Sequence, residues 1–376
     1  MRFGIAIPVF GQAEFIGEAL RSIALQRVGF QLAVMDATPD DSVQKVVQQY
    51  RSLVSYNRHG PDAGQSVAIQ EGWDRTDAEL LGWLCADDYY FPHTFSEVHQ
   101  IFATRPDIDV VYGDTVFADR AGRFLGYFPW ISEDISRITR SCCISQPSCF
   151  VRRTALERVG GLATDLHFAM DWDLWTRLYL DGAQFHYLRR PLSVCRMYGE
   201  TKTASRSPQR YREIVSHLRT HAKPIGRFRS LFGFYYRDLL ANRTSWVEQV
   251  AYSIIESAQN LKRWGAAKLG RKKTLYGIEK ETNTVWENGE IWLPWFEQTQ
   301  QCLVDFVVDR KITLSISTDD GHEYIGKSVP ESMGYTVSVL VENLYDHLVR
   351  LQVHAVDSDK PWRIKTVELR LPSSPA

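Results

Sequence analysis

A regular alternation of apolar strands and amphipathic helices over the first 110 residues constrains the fold more than any other feature. The runs FGIAIPVF, FQLAVMDA, SLVSYN and ELLGWLCADD are short and mostly apolar, which is typical of strands covered on both faces. Helical patterns lie between them, and in AEFIGEALRSIALQ the residues Ile16, Leu20 and Ile23 recur at helical spacing. This βαβαβαβ order predicts an open, mostly parallel α/β sheet.

Acidic residues fall where predicted strands end. Asp36 follows the second strand, and the adjacent Asp87 and Asp88 follow the fourth, in LLGWLCADDYYFP. Ligands of open α/β sheets bind outside the carboxyl ends of the strands, so we expect these carboxylates to converge on one crevice. A pair of carboxylates is compatible with a solvated, capping turn or with a site for Mg²⁺ or Mn²⁺, which prefer oxygen ligands and commonly share carboxylates with substrate phosphates.

The character of the sequence changes twice after the predicted sheet. Residues 206–273 contain 15 Lys and Arg against 4 Asp and Glu, and the aromatic run GRFRSLFGFYYRDLL lies among them, so they predict basic helices. From residue 274 onward, segments such as KITLSIST and YTVSVLVE alternate apolar and polar residues between turn signals, which is typical of a β-sandwich. We therefore predict an α/β domain over residues 1–205, a basic helical segment over 206–273 and an all-β module over 274–376.

The composition excludes several classes of protein. The formal net charge of -1 gives no overall attraction to nucleic acid. Six cysteines without a CxxC pair predict reduced thiols rather than disulfides or a zinc site. The opening MRFGIAIPVF has the pattern of a first strand rather than a secretion signal, and no apolar stretch approaches the roughly 20 residues that span a bilayer. We expect a cytoplasmic protein without a nucleic-acid partner.

Six segments of the first 204 residues resemble, in the same order, the motifs of the family 2 glycosyltransferases. They are IAIPVFGQAEFIGEALRSIALQ, AVMDATPDDS, GPDAGQSVAIQEGW, CADDYYFP, SQPSCFVRRTALERVGGL and MDWDLWTRL. Each segment alone is a weak signal, whereas six in the right order are a strong one. The resemblance implies the GT-A nucleotide-sugar-binding fold and an inverting transfer of a sugar from a nucleoside diphosphate, most simply UDP.

The resemblance also implies which residues surround the nucleotide. It places the loop after the first strand at the nucleotide, Asp36 against the uracil ring, and the Pro-Asp-x-Gly-Gln segment near the base and ribose. The loop after Asp36 is one residue shorter than the commonest form of the motif. The residues implied in nucleotide binding are Pro8, Phe10, Asp36, Asp62, Gly64 and Gln65.

CADDYYFP falls at the metal motif of the family. The resemblance makes Asp87 the direct ligand of Mn²⁺ or Mg²⁺ and gives Asp88 the ribose or the outer shell of the metal. A divalent cation in this position would neutralise charge on the leaving diphosphate. Cys85 stands where the motif usually begins with an acidic residue, which would weaken metal affinity or leave one contact to water.

The resemblance places the catalytic base at Asp171, in AMDWDLWTR, where Met170 replaces the first member of a common Glu-Asp pair. Such a base takes the proton of the attacking acceptor hydroxyl. Asp173 is the alternative, although it could instead cap a helix or pair with Arg177 four residues on.

LSVCRMYGETKT resembles the closing segment of the family, in which Arg-x-His is frequent. Arg196 is retained, and Tyr198 stands in for the histidine. A phenol is a poor metal ligand but a good hydrogen-bond donor, so we expect Tyr198 to contact phosphate oxygen rather than the metal; a packed aromatic is the alternative.

Three further features carry two interpretations each. Asp114 ends a strand and could bind the acceptor or cap a turn. Trp286, Trp292 and Trp295 could form a sugar platform, although core packing is the stronger expectation. The basic, aromatic helices could pack on the enzyme or lie on an anionic membrane, because many relatives glycosylate lipid-linked acceptors.

The leading hypothesis is a metal-dependent inverting glycosyltransferase that acts on a glycan or lipid-linked saccharide in bacterial surface polysaccharide synthesis. Association with further copies of the chain, as a homo-oligomer, is a second expectation. The departures at Cys85, Met170 and Tyr198 leave a catalytically decayed, carbohydrate-binding or scaffolding protein as the alternative. A nucleotidyltransferase would carry a Gly-rich, Arg- or Lys-bearing loop after the first strand, which PVFGQAEF lacks.

Overall fold

The computed structural model describes residues 1–199, 201–202, 207–241, 274–280, 282–285, 287–297, 299–319, 322–331, 334–342, 344, 347–356 and 360–372. The chain begins with the predicted alternation of strands and helices. These elements are β1 (Phe3–Val9), α1 (Ile16–Ala24), β2 (Phe30–Asp36), α2 (Ser42–Gln49), β3 (Tyr56–His59), α3 (Gln65–Asp74) and β4 (Leu80–Trp83).

The third strand begins later than the sequence predicts. The run SLVSYN predicts a strand from residue 52, but pairing with β2 starts only at Tyr56, opposite Ala33. Val54 is buried in the preceding turn, and the Ser55 N–H donates to the Leu32 carbonyl at 2.8 Å. The apolar character of SLVSYN therefore reflects the burial of a turn against the sheet, and strand pairing begins only after that turn.

Four strands form the parallel core of the sheet, in the order β3, β2, β1, β4. The register between β1 and β2 runs from Phe3 opposite Phe30 to Val9 opposite Asp36. Every residue of β1 is buried, as the apolar run requires for a strand covered on both faces. Because the strands are parallel and in register, the segments that follow Val9, Asp36 and Trp83 leave the sheet at the same edge.

The sheet continues with antiparallel and mixed pairing beyond β4. The elements are β5 (Tyr89–Tyr90), α4 (Thr94–Thr104), β6 (Val110–Ala118), β7 (Phe124–Tyr127), β8 (Cys149–Arg152), α5 (Arg153–Arg158), α6 (Met170–Leu180) and β9 (Phe185–Arg196), with 3₁₀ turns at Ile135–Thr139 and Gln146–Ser148. Strand β8 pairs antiparallel with both β4 and β6, and β9 runs parallel to β6. This arrangement confirms the predicted α/β sheet with a parallel core.

Gly82 in β4 is required by close packing inside the sheet. A Cβ atom at this position would lie 2.9 Å from Cδ1 of Phe150, on β8, and 3.4 Å from Cδ1 of Ile5, on β1. Because the aromatic ring fills that space, β4 fits between its neighbours only with glycine here.

Two helices follow the sheet, α7 (Pro208–His221) and α8 (Pro224–Ala241). Ser207 caps α7 by accepting a hydrogen bond from the Gln209 N–H at 3.2 Å, and Pro208 occupies the first turn. These helices confirm the helical character of the beginning of the basic segment, whereas residues 242–273 lie outside the described chain. No helix in the described ranges is long and apolar enough to span a bilayer.

The C-terminal region is antiparallel β structure in two layers, as predicted. Its strands are β10 (Thr274–Leu275), β11 (Ile278–Glu279), β12 (Thr284–Val285), β13 (Asn288–Pro294), β14 (Cys302–Val308), β15 (Thr313–Thr318), β16 (Glu323–Lys327), β17 (Val329–Glu331), β18 (Gly334–Val341), β19 (Leu348–Ala355) and β20 (Trp362–Arg370). One layer is β13, β19, β15 and β16; the other contains β17, β18, β14 and β20. A Cβ atom at Gly326 in β16 would lie 2.4 Å from Val337 in β18, so the two layers pack closely there.

The structure settles the interpretation of two tryptophans of this region. Trp292 and Trp295 are buried in the core, as expected, rather than exposed as a sugar platform; Trp286 lies outside the described residues.

The C-terminal strands join the sheet of the N-terminal half. Val367 of β20 pairs with Phe124 of β7, and Asp114 of β6 connects the two regions through side chains. Asp114 is fully buried and accepts hydrogen bonds from the Tyr187 hydroxyl at 2.6 Å and the Tyr276 hydroxyl at 2.7 Å. Burial raises the pKa of Asp114 to about 6. Asp114 therefore connects the β region to the sheet, and neither the acceptor contact nor the simple capping turn considered for it describes its position.

This connection predicts a stability effect for Tyr276→Phe. Loss of the hydroxyl leaves one oxygen of the buried Asp114 carboxylate without its donor, so we expect the free energy of unfolding to fall by roughly 1–3 kcal/mol. Urea denaturation measures this, with Tyr335→Phe in β18 as the matched control, since no partner is found for that hydroxyl among the described residues. Equal stability of the two variants would contradict the role assigned to Asp114.

Candidate active site

A single cleft of about 2240 Å³ opens at the edge of the sheet where the parallel strands end. It brings together residues that are more than 150 positions apart in the chain. Ten of the eleven predicted site residues line it: Pro8, Phe10, Asp62, Gly64, Gln65, Asp87, Asp88, Asp171, Arg196 and Tyr198. The exception is Asp36.

The loop after β1 forms one wall of the cleft. Phe10 is 68% exposed, which is unusual for a large apolar ring, and it is available for stacking on a planar group. The backbone reverses at Gly11, whose φ of 71° is readily adopted only by glycine, and the Gly11 N–H donates to the Thr38 hydroxyl at 2.9 Å. The loops after β1 and β2 are thus held side by side.

Asp36 supports this loop from inside instead of facing the cleft. It is 0% exposed, and its carboxylate accepts hydrogen bonds from the Thr38 N–H at 2.9 Å and the Gln44 amide at 2.7 Å. Nδ1 of His59 lies 2.7 Å from the same carboxylate. The next residue, Ala37, lines the cleft. The direct contact with a uracil ring expected for Asp36 therefore has no support from its geometry, because the carboxylate is fully buried and does not line the cleft.

Asp62, Gly64 and Gln65 form the turn that starts α3. The Gly64 N–H donates to Asp62 Oδ1 at 2.9 Å, and Gly64 has a φ of 121°, so the turn depends on glycine. Gln65 then connects two parts of the cleft, because its amide donates to Cys85 Sγ at 3.4 Å and its carbonyl accepts from Lys202 Nζ at 2.8 Å.

The adjacent carboxylates Asp87 and Asp88 are almost fully buried and line the cleft. Oxygens of both, together with Cys85 Sγ, fall within 4.8 Å of one another. Burial, followed by the charge of Asp87, raises the pKa of Asp88 well above its usual range. A bound cation would relieve this electrostatic cost, so the oxygen-rich pair fits a hard divalent metal.

Strand β9 and the residues after it hold the acidic pair in place. The Arg196 N–H donates to Asp88 Oδ1 at 3.0 Å, and the Arg196 guanidinium donates to the Asp87 carbonyl at 2.7 Å. The same guanidinium pairs with Glu18 of α1 at 2.5 Å. The Tyr198 hydroxyl donates to Asp87 Oδ2 at 2.8 Å. Arg196 therefore positions the pair, and Tyr198 lies at Asp87 itself; its expected contact with phosphate stays a prediction.

Asp171 also lines the cleft, in the first turn of α6. One carboxylate oxygen accepts the Trp172 N–H at 2.7 Å, and burial raises the pKa of Asp171 to about 6. Asp173 is engaged elsewhere: it pairs with Arg177 at 2.7 Å, and Arg177 also donates to the carbonyls of Val159 and Gly161. Of the two aspartates on this helix, Asp171 is the one whose side chain lines the cleft.

Glu213 is a supporting residue that the sequence analysis missed. Its carboxylate, on α7, accepts hydrogen bonds from the backbone N–H groups of His167, Phe168 and Ala169, the loop that leads into Asp171. It is the single acidic residue of α7, PQRYREIVSHLRTH. An isolated acid on a basic helix was the available signal, but its target cannot be deduced from the sequence.

Comparison with known proteins identifies the family of the N-terminal part of the chain. Residues 4–160 match the family described as Glycosyl transferase family 2. The chain is 27% identical over 209 residues to the O-antigen biosynthesis protein RfbC of Myxococcus xanthus, a match over 54% of this chain and 16% of the relative. It is 22% identical over 226 residues to an uncharacterized glycosyltransferase of Haemophilus influenzae, over 58% of this chain and 76% of the relative.

Two solved structures are also similar. S. aureus TarS 1-349 in complex with UDP aligns with a TM-score of 0.49 and 17% identity, over 66% of this chain and 77% of that one. The mannosyltransferase PcManGT from Pyrobaculum calidifontis, in complex with GDP-Man and Mn2+, aligns with a TM-score of 0.48 and 16% identity, over 71% and 79%.

The ordered motifs, the α/β sheet with its parallel core and the family match over residues 4–160 lead to one identification. The N-terminal half of the chain is a family 2 glycosyltransferase domain with the GT-A fold, and a β-rich region follows it at the C-terminus.

Proposed function

We propose that the protein is a metal-dependent, inverting glycosyltransferase that uses a nucleoside diphosphate sugar. The observation that carries the proposal is the cleft itself, in which the buried Asp87–Asp88 pair and the separate carboxylate of Asp171 line the same space. The pair offers oxygen ligands for a cation, and Asp171 offers a carboxylate with a pKa of about 6. The proposed nucleotide is UDP, from the resemblance of the sequence motifs.

Asp87 would hold Mn²⁺ or Mg²⁺ directly, with Asp88 at the ribose or in the outer shell of the metal, and the bound cation would neutralise charge on the diphosphate. The Tyr198 hydroxyl fixes one oxygen of Asp87 and leaves the other available. Arg196 fixes the Asp87 backbone and one oxygen of Asp88. The chain therefore supplies a preorganised acidic pair, even though Cys85 replaces the first acid of the usual motif.

Asp171 would act as the general base. As the acceptor hydroxyl oxygen bonds to the anomeric carbon, its proton passes to Asp171, the bond from that carbon to the diphosphate oxygen breaks, and the electron pair leaves with the nucleoside diphosphate. Burial raises the pKa of Asp171 to about 6, which makes it a stronger base than an exposed aspartate while it stays ionised at neutral pH.

The acceptor we propose is a glycan or lipid-linked saccharide of a surface polysaccharide. The name of the M. xanthus relative, an O-antigen biosynthesis protein, supports this class. A decayed, carbohydrate-binding protein remains the alternative. The intact constellation of Asp87, Asp88 and Asp171 in the cleft favours the enzyme.

We also propose that the enzyme works at the cytoplasmic face of the membrane through α8. Ile225, Phe228 and Phe232 are 77%, 73% and 45% exposed and recur at helical spacing, so they form one apolar face. The exposed Lys223 and Arg229 flank this face. An exposed apolar face with basic neighbours suits the surface of an anionic bilayer.

Replacing Asp87 tests the metal site. We expect Asp87→Ala to lower Mn²⁺-dependent release of UDP from UDP-sugars by about a hundredfold or more, because the direct metal ligand is lost. Asp107→Ala, at an exposed ion pair with Arg105, is the control and should keep wild-type activity. Tyr198→Phe should raise the Mn²⁺ concentration for half-maximal activity by roughly tenfold, since Asp87 loses its orienting partner. Full activity of Asp87→Ala would contradict the proposal.

The pKa of Asp171 sets a pH dependence. Below about pH 6 the Asp171 carboxylate is protonated and cannot accept a proton, so kcat/KM for UDP release should fall as the pH decreases through 6. Above pH 6 the carboxylate is ionised, and its titration should no longer change kcat/KM. Asp171→Asn should lose about 10²- to 10⁴-fold in rate. UDP affinity, measured by calorimetry at each pH, separates this effect from protonation of the metal site.

Asp173→Asn is the matched control on the same helix. It should lose stability through its Arg177 pair while keeping most of the rate. If the Asn variants at 171 and 173 lost the same rate, Asp171 would not be the base.

Vesicle flotation tests the membrane contact. We expect the protein to float with phosphatidylglycerol vesicles at moderate salt and Phe228→Ser/Phe232→Ser to float far less, because the exposed apolar face is lost. Flotation with neutral vesicles to the same extent, or no change in the double variant, would contradict a contact through α8.

A further inference from the structure

The charged residues that line the cleft are mostly basic. Ten lysines and arginines line it, against four aspartates, Asp62, Asp87, Asp88 and Asp171, all in the parts already assigned to donor, metal and base. Among the described residues, every charged residue that the 3₁₀ segment, α8 and the β region contribute to the cleft is basic. We call six of these the basic arm: Arg137, Arg140, Lys223, Arg229, Arg363 and Lys365.

Three separate parts of the chain build the basic arm. Arg137 and Arg140 belong to the 3₁₀ turn after β7 and its end, Lys223 and Arg229 to the start of α8, and two residues to β20. In β20, Trp362 and Ile364 are buried, so the alternate residues Arg363 and Lys365 are the exposed ones. Basic residues from three parts of the chain thus line one cleft, which a single solvated helix face would not produce.

The first two parts are in direct contact. The Ser230 hydroxyl of α8 donates to the Arg140 carbonyl. A Cβ atom at Gly226 would lie 3.6 Å from Cδ of Arg140, so the arginine stem packs on the open surface that this glycine leaves. Arg140 is therefore held beside the helix that carries Arg229, one turn after Gly226.

Four residues of the basic arm make no ion pair. Within the described ranges, Arg140, Lys223, Arg229 and Arg363 are exposed and pair with no carboxylate, whereas arginines elsewhere, such as Arg177, are paired with one. Like charges gathered in a cleft repel one another and raise the local concentration of anions. An arginine fork in this state is suited to bind phosphate or carboxylate in two-point contacts.

We propose that the acceptor is a polyanionic glycan, with phosphate or carboxylate groups repeated along its chain, and that the basic arm binds it. This inference rests on the proposed function, because it takes Asp171 as the position of the acceptor hydroxyl. It gives the β region a defined part in acceptor binding through β20. A neutral saccharide would leave the positive charge of the basic arm without a compensating negative charge.

Polyanion binding tests the inference without knowledge of the natural acceptor. The probes are fluorescently labelled inorganic polyphosphate and oligogalacturonate, with labelled dextran as the neutral comparison, and the measurement is fluorescence anisotropy on the full chain over a range of NaCl concentrations. We expect at least one polyanion to bind, dextran not to bind, and affinity to fall as salt increases.

Arg140→Ala/Arg229→Ala should weaken polyanion binding by about tenfold or more, since two charge-assisted contacts are lost. Arg363→Ala should weaken it through the β region. The matched control is Arg21→Ala/Lys45→Ala, which removes two exposed charges from α1 and α2, outside the cleft. Equal weakening in the control, wild-type affinity in the cleft variants, or equal binding of dextran would overturn the inference.

A lipid headgroup is the other source of anionic groups, and the same experiment separates it. Phe228→Ser/Phe232→Ser should keep polyphosphate binding even where vesicle binding is lost. If the arginine variants lost only vesicle binding and the wild type bound neither polyanion, the arm would serve the membrane and the inference would be overturned. Wild-type UDP release with Mn²⁺ distinguishes the two proposals: polyanion binding without UDP release contradicts the proposed function, and UDP release without polyanion binding contradicts this inference alone.

Discussion

The burial of two neighbouring carboxylates, Asp87 and Asp88, is the constraint on which the site depends. Burying such a pair costs free energy, because both carboxylates lose their hydration and repel each other. Without compensating groups, this cost would exceed the stabilisation that the hydrogen bonds of the pair provide. The fold compensates with the distant strand β9, whose last residue, Arg196, donates from both its backbone and its side chain. The guanidinium is itself neutralised by Glu18. Helix α1, the end of β9 and the loop that carries Asp87 and Asp88 are thus linked by hydrogen bonds and ion pairs. The acidic pair at the centre of these contacts still favours a bound cation.

The sequence predicted correctly those site residues whose location follows from their place at the end of a strand. Parallel strands with apolar runs determine which edge collects the loops, and therefore Asp87 could be assigned to the cleft. The same argument failed for the side chain of Asp36, because the end of a strand does not reveal which way a carboxylate turns. Local donors at Thr38, Gln44 and His59 decide that direction.

Long-range contacts account for the rest of what the sequence could not supply. Asp114 had the pattern of a strand-end residue near an acceptor, yet its partner Tyr276 lies 162 residues away. The alternation of β20 predicted a sandwich strand correctly, but no periodicity indicates that its edge joins β7 or that Arg363 lines the cleft. The local sequence predicts that a segment forms a strand, whereas the pairing of sheet edges depends on how whole regions pack.

The contact of Glu213 with the loop before α6 has a consequence for where the catalytic unit ends. Three successive peptide N–H groups converge on this one carboxylate, in the manner of an anion held by a backbone nest. The acid comes from a helix that sequence composition assigns to the following segment. A chain cut after residue 205 would retain Asp171 but lose the anchor that fixes the loop before it, so we expect the smallest active fragment to include α7.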